Sequence, residues 1–287
     1  MRTVRTVHEL RDALAPERRA GRTIGLVPTM GAFHDGHLSL IRRARRDSDV
    51  VVVSLFVNPT QFTPSEDLDA YPRDEQRDAA LAEAEGVDLL FVPPVEEVYP
   101  NGFGTTVTVG ALTEILEGHP AGRGTSHFAG VTTVVTKLFN MVGPDVAYFG
   151  QKDAQQALVI RRLVRDLDIP VQISVLPTVR EPDGLALSSR NAYLDPGERD
   201  RATALHSALA AAEAAVAGGE LAAADVLAAA RTELEAAGIE PEYLELRSTV
   251  DLAPAERVNG TTLLAVAARV GRARLIDNTV LTSKGDR

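Results

Sequence analysis

The chain has 287 residues, 45% of them hydrophobic and 24% charged, a composition that supports buried cores and excludes global disorder. Its net charge of -10 excludes an extended nucleic-acid surface, and the lack of any cysteine excludes disulfides, thiolate zinc sites and cysteine nucleophiles. Catalysis must therefore draw on His, Lys, Arg, Ser and carboxylates. The length exceeds that at which one core stops growing, so two domains are expected. Residues 1–12 alternate charged and isolated apolar residues, unlike a signal peptide, and no run reaches the roughly 20 apolar residues of a membrane span. A cytoplasmic protein with no membrane or nucleic-acid partner is the expectation.

In chain order, residues 23–29 form a short apolar run closed by Pro28, and residues 38–46 place Leu38, Ile41 and Ala44 at helical spacing with arginines opposite. Residues 49–57 are β-branched and nearly continuously apolar, as expected of a parallel strand covered on both faces. These three pieces predict a βαβ unit. A helix over 73–85 stopped by Gly86, and a strand over 87–92 ended by Pro93 and Pro94, continue the pattern. A helix over 128–142, a strand over 146–149, a helix over 153–167 and a strand over 171–176 follow.

After Pro177 the sequence turns first loop-rich, around 181–184, then alanine-rich and helical over 198–237. Strands are predicted over 242–247, 261–268 and 274–281, the last two joined near Gly271 as an antiparallel hairpin. The fold class is thus α/β. A Rossmann-like parallel-sheet domain over 1–176 is followed by a smaller α+β domain with an antiparallel sheet over 177–287.

The first chemical motif lies between a strand end and a helix start: Met30, Gly31, Ala32, Phe33, His34, Asp35, Gly36, His37. Unpaired N–H groups and the positive end of the helix dipole favour phosphate there, and glycine admits close backbone approach. Histidines add donors for a departing pyrophosphate. Two histidines three apart are otherwise commonplace surface residues, and a zinc site would need a third ligand that the motif does not supply. The second motif, Asn58-Pro59-Thr60-Gln61-Phe62, follows a predicted parallel strand, where ligand crevices form, although Asn58-Pro59 alone is an ordinary turn. The third, Gly150-Gln151-Lys152-Asp153, again joins a strand to a helix and adds a cation, with Asp153 suited to an N-cap. Ser188-Ser189-Arg190 offers two hydroxyls and a guanidinium to phosphate oxygens.

These motifs, taken in order with Pro28-Thr29, Tyr71-Pro72-Arg73, His127-Phe128-Ala129-Gly130-Val131, Gln155-Gln156 and Leu187, resemble the pantothenate synthetase family of the His-x-Gly-His nucleotidyltransferases. The resemblance spans nearly all of the first domain and the entry to the second. It implies ATP, (R)-pantoate and β-alanine as substrates, Mg2+ arriving with ATP, a pantoyl adenylate intermediate and a homodimer. By resemblance, residues 30–37, Gly150, Gln151, Lys152, Asp153, Val179, Leu187, Ser188, Ser189 and Arg190 hold ATP. Within that set His34, His37, Lys152, Ser188 and Arg190 stabilise the leaving pyrophosphate, and closure of the two domains excludes water from the adenylate.

Gln61, Gln156 and Asn58 are the implied ligands of pantoate and β-alanine, with Tyr71, Arg123 and His127 as further members. Asp78, in an acidic cluster interrupted by Arg77, is the one candidate protein ligand for magnesium. The sequence departs from the family at Gly124, which stands where most members carry arginine, with Arg123 one residue back, and at Leu187, which replaces a methionine. The rival readings are a dinucleotide-forming member of the same superfamily, which would need no β-alanine, and a silent nucleotide-binding regulatory module, which would bind ATP without turnover.

Overall fold

Apolar runs without polar interruption become strands covered on both faces. The computed structural model describes residues 1–62, Leu68 and residues 71–283. Within them β1 (Arg2–Val4), α1 (Val7–Arg19), β2 (Ile24–Thr29), α2 (Asp35–Asp47), β3 (Val50–Leu55), α3 (Glu75–Ala84), β4 (Leu89–Phe91) and the short α4 (Val95–Val98) come first. Then follow α5 (Thr125–Val142), β5 (Val146–Gly150), α6 (Ala154–Asp166) and β6 (Gln172–Leu176). The six strands lie in the order β1-β4-β3-β2-β5-β6, and every neighbouring pair is parallel.

Strand alternation divides this sheet's side chains between two cores. Ile24, Leu26, Val50, Val52, Leu89, Phe91 and Phe149 pack with Leu10 and Leu14 of α1 and with Val131, Val135 and Leu138 of α5. Val27, Val51, Val53, Leu90 and Tyr148 pack on the opposite face with Leu38, Ile41 and Ala44 of α2 and Ala82 of α3. Each fully buried aliphatic side chain stabilises by about 1.5–3 kcal/mol, so the sheet and its two helical layers form a rigid base. Pro28 is tolerated in a central strand because β2 pairs with β5 only at Gly25 and Leu26, below the proline.

The chain runs outward from β2 to β3 on one side and returns to β5 on the other, which makes the β2/β5 boundary a topological switch point. The carboxyl ends of β2 and β3 lead into residues 30–37 and 58–62. The charge alternation of residues 1–12 conceals β1 and α1. The helix starts with a capping box in which Thr6 accepts from the Glu9 amide and Glu9 reaches back to the Thr6 amide, and it tolerates Pro16 in its last turns.

The chain divides into two compact units, Met1–Gly150 with Gln155–Leu176, and Gln151–Ala154 with the described part of Pro177–Arg287. The second contains α7 (Pro196–Ala202), α8 (Ala204–Ala217), α9 (Ala223–Ala236), β7 (Pro241–Ser248), β8 (Thr261–Val270) and β9 (Ala273–Thr282). Its strands are antiparallel in the order β7-β8-β9, and Gly271 turns the β8–β9 hairpin with φ 56°. The alanine-rich stretch resolves into three helices. Small residues Ala208, Ala212 and Ala230 pack with Leu205, Leu209 and Leu234 against Leu244, Leu264 and Val266 of the sheet.

Candidate active site

His34 is the N-cap of α2, and its ring lies over the start of its own helix. Its Nδ1 accepts the Gly36 amide at 3.1 Å, while the His34 amide points at Nδ1 of His37 at 3.4 Å. With both Nδ1 atoms facing backbone donors, each ring in its neutral form carries its proton on Nε2. Their ring centroids are 4.2 Å apart, and His37 is also 5.5 Å from the buried Phe33 ring. Gly36 is required for this arrangement, because a Cβ there would lie 2.8 Å from Cε1 of His34. Asp35, exposed in the first turn, complements the helix dipole.

The loop before the helix is held from outside itself. Gly31 and Ala32 both have positive φ, 89° and 55°, and the left-handed conformation at Ala32 is costly for a residue with a side chain. Asp78, 1% exposed, compensates by accepting the Ala32 amide at 2.7 Å and the Phe33 amide at 2.8 Å, one on each carboxylate oxygen. Two amides expected to face phosphate are therefore already bound by a protein carboxylate.

At the end of β3, the 3-10 turn Pro59–Gln61 presents Gln61 through a network whose polarity can be followed atom by atom. The Gly130 carbonyl can only accept, so the atom of Asn58 lying 3.1 Å from it is the amide nitrogen. That nitrogen's second contact, 3.1 Å to Gln61, therefore falls on Oε1, and the Gln61 NH2 donates to Met30 Sδ, 3.2 Å from Nε2. Tyr99 donates to Asn58 Oδ1 at 2.8 Å, and burial raises its pKa, against a lowering by the Thr60 hydroxyl.

His127, 3% exposed, holds the Gln61 main chain: its Nδ1 donates to the Gln61 carbonyl at 2.8 Å, and its Nε2 receives Nη1 of Arg123 at 3.1 Å. Arg123 thus joins this network from one residue before the position where the family carries arginine. Asn58 is buried and spends its amide on Gln61, Gly130 and Thr60. Tyr71 packs edge-on against Phe62 at 5.8 Å. Gln155 is committed to Glu117, Leu112 and Ile115 backbone groups, whereas Gln156 on the next position of α6 is half-buried.

β5 ends at Gly150 in the first unit, and Gln151–Asp153, assigned to the second, form a 3-10 turn. Lys152, its side chain 19% exposed, sits 3.8 Å from the Asp153 carboxylate. The Leu187 amide donates to the Val179 carbonyl at 3.0 Å, next to a β-bridge between Arg180 and Ala186, so Val179 and Leu187 face each other at the mouth of one loop. Ser188 caps the turn Ser189–Tyr193, its Oγ accepting the Arg190 amide at 3.2 Å.

Residues 2–280 match the family model described as pantoate–β-alanine ligase. The chain belongs to that family. The chain is 53% identical over 282 residues to the pantothenate synthetase of Moorella thermoacetica, covering 98% of this chain and 99% of the relative. The crystal structure of pantothenate synthetase from Thermus thermophilus superposes with a TM-score of 0.90 at 50% identity, over 97% of this chain and 99% of that one. The pantoate–β-alanine ligase of Francisella tularensis, complexed with β-γ ATP and β-alanine, matches at 33% identity and TM-score 0.77, over 98% and 97% of the two chains.

Asp78, the candidate magnesium ligand, anchors the loop: both of its oxygens receive backbone N–H groups, and the Arg77 guanidinium lies 3.7 Å away. Among the described residues no group of three or more His, Asp or Glu side chains is arranged to hold a metal. Sequence reasoning also missed Tyr99 and Asn278. Tyr99 carries no motif, but Asn278 carried a signal, because Asp277 and Asn278 are adjacent polar residues between the apolar Leu275–Ile276 and Val280–Leu281 of β9.

Proposed function

We propose that the chain condenses (R)-pantoate with β-alanine in two ATP-driven steps, releasing pyrophosphate and then AMP. A pantoate carboxylate oxygen attacks the α-phosphorus of ATP, and the bond to the bridging oxygen breaks with its electron pair leaving on pyrophosphate. The amine of β-alanine then attacks the acyl carbon of pantoyl adenylate, the bond to AMP breaks, and the nitrogen loses a proton. Neither step needs an enzyme nucleophile, which suits a cysteine-free chain that offers donors and cations instead. Magnesium enters as part of the MgATP substrate.

The observation that carries this reading is the fixed polarity of two groups on the first unit. His34 and His37 stand at the α2 N-terminus with Nδ1 of each against a backbone amide, which puts the proton of each neutral ring on Nε2, a donor type suited to the developing charge on pyrophosphate. Gln61 holds its NH2 beside Met30, a donor suited to the oxygens of pantoate, and Gln156 is its proposed companion. On the second unit Lys152, Ser188 and Arg190 are the proposed phosphate ligands, and Asp153, Val179 and Leu187 are the proposed nucleoside contacts, as is Gly150 of the first unit.

No helix among the described residues is long and apolar enough to cross a membrane. A cytoplasmic homodimer is proposed on the family's likeness, and sedimentation of the purified chain at twice its monomer mass tests the dimer. For the reaction, purified protein with MgATP, pantoate and β-alanine should release AMP only when both organic substrates are present. AMP release without β-alanine, or ATP binding without turnover, overturns the reading. Lys152→Ala should lower the adenylation rate by about 100-fold or more; an unchanged rate removes Lys152 from the mechanism.

A further inference from the structure

Lys152 stands on a three-residue turn, and such a turn does not fix a lysine by itself. Three hydrogen bonds from β9 fix it. The Asn278 side-chain nitrogen donates to the Gln151 carbonyl at 2.9 Å and to the Lys152 carbonyl at 2.8 Å, and its oxygen accepts Nε2 of Gln151 at 2.9 Å. Asn278 is 5% exposed, so its amide is saturated by the turn rather than by water. Two backbone carbonyls define which end of the amide is nitrogen, and replacing it with a group lacking that donor pair leaves both carbonyls unsatisfied.

The residue before it extends the same support to the second phosphate-handling segment. Asp277, 3% exposed, receives Arg180 through both oxygens, at 2.6 and 3.1 Å, and also accepts the Asn278 amide at 2.8 Å. Arg180 donates onward to the Gly184 carbonyl at 3.1 Å, closing the loop whose other arm runs from Ala186 to Ser188. A buried ion pair of this kind contributes little net stability for its desolvation cost, but its bidentate geometry fixes position.

We propose that Asp277 and Asn278 are positioning residues that hold the Lys152 turn and the Val179–Arg190 loop at one fixed spacing for the triphosphate. The inference rests on the phosphate roles proposed above for Lys152, Ser188 and Arg190. Asn278 acts through Lys152, and Asp277 acts through Arg180 on the loop that carries Ser188 and Arg190.

The test uses the full chain, with kcat, ATP KM and pantoate KM measured alongside the thermal unfolding midpoint for Asn278→Ala, Asn278→Asp, Lys152→Ala and the Lys152→Ala/Asn278→Ala double variant. Asn278→Ala should raise ATP KM and lower kcat by about 10- to 100-fold together while pantoate KM moves less than about twofold. On the Lys152→Ala background, the same change should cost less than about threefold more, because the group it positions is gone. Asn278→Asp keeps the size but turns an acceptor toward two carbonyls, and it should show the same defect should the alanine variant not fold. Wild-type kinetics in either single variant, or a fully multiplicative loss in the double variant, overturns the proposal. Absence of pantoate- and β-alanine-dependent AMP release in the wild type would instead remove the functional reading, and the positioning role with it.

Discussion

At the scale of single residues, the decisive group at the α2 N-terminus is Asp78, a carboxylate aimed at two amides. Asp78→Asn keeps shape and volume but can accept only through one atom, so one of the Ala32 and Phe33 amides would meet an NH2 group. A buried donor left facing a donor costs about 1–3 kcal/mol. The left-handed backbone at Ala32, φ 55°, would then lose the contact that holds it. The variant should lower the unfolding midpoint and reduce kcat/KM for ATP by about 10-fold or more. A magnesium titration separates the two roles: excess Mg2+ should leave the defect unchanged, and recovery at high Mg2+ would restore Asp78 as a cation ligand.

The sequence reading singled out His34, His37 and Gln61 because residue type at a strand end carries the chemistry proposed for them. The loop-anchoring role of Asp78 was not legible, because a carboxylate looks the same in sequence whether it holds an ion or a backbone. Only the 2.7 and 2.8 Å contacts distinguish the two.

At the scale of elements, Gln61 depends on how closely α5 approaches the Pro59–Gln61 turn. A Cβ at Gly130 would overlap the Thr60 carbonyl, and the Gly130 carbonyl is also what orients Asn58. Gly130→Ala therefore should push helix and turn apart, with an overpacking cost of about 1–3 kcal/mol. Because Asn58 and His127 would move with the helix, the Gln61 amide should lose its orientation. Steady-state kinetics should show pantoate KM rising by about 10-fold or more and ATP KM changing little; equal changes in both would mean that α5 does not act through Gln61. The helix itself was legible from its apolar spacing, whereas this contact pairs positions 60 and 130, which no local pattern connects.

At the scale of the whole molecule, alternating periodicity showed an α/β chain with a change of character after Pro177. It could not supply the strand order β1-β4-β3-β2-β5-β6 or the attachment of Gln151 to Asn278, 127 residues away, since both arise from long-range pairing. Long-range pairing also governs the response of the folded chain to acid. With 40 acidic and 30 basic residues, lowering the pH first relieves self-repulsion, which favours the compact state. The opposing effect is local.

Arg199 binds Glu181 at 2.7 Å and Asp183 at 2.7 Å, and Asn191 donates to the other Glu181 oxygen at 2.7 Å. The hydrogen bond from Arg199, supported by that from Asn191, holds the Glu181 pKa below its ordinary 4.5 despite partial burial. A carboxyl with a depressed folded pKa stabilises fully above its unfolded value and loses that contribution as pH falls through the folded value. Glu181→Gln should therefore be less stable than the wild type at pH 7 by on the order of 1 kcal/mol, since the pair is partly exposed. The difference should persist down to about pH 4.5 and then shrink as the wild-type carboxylate protonates. Calorimetric midpoints for both proteins between pH 7 and 3 measure this directly. A gap that stays constant across that range would show that Glu181 stabilises the Val179–Arg190 loop by packing, with no contribution from its charge.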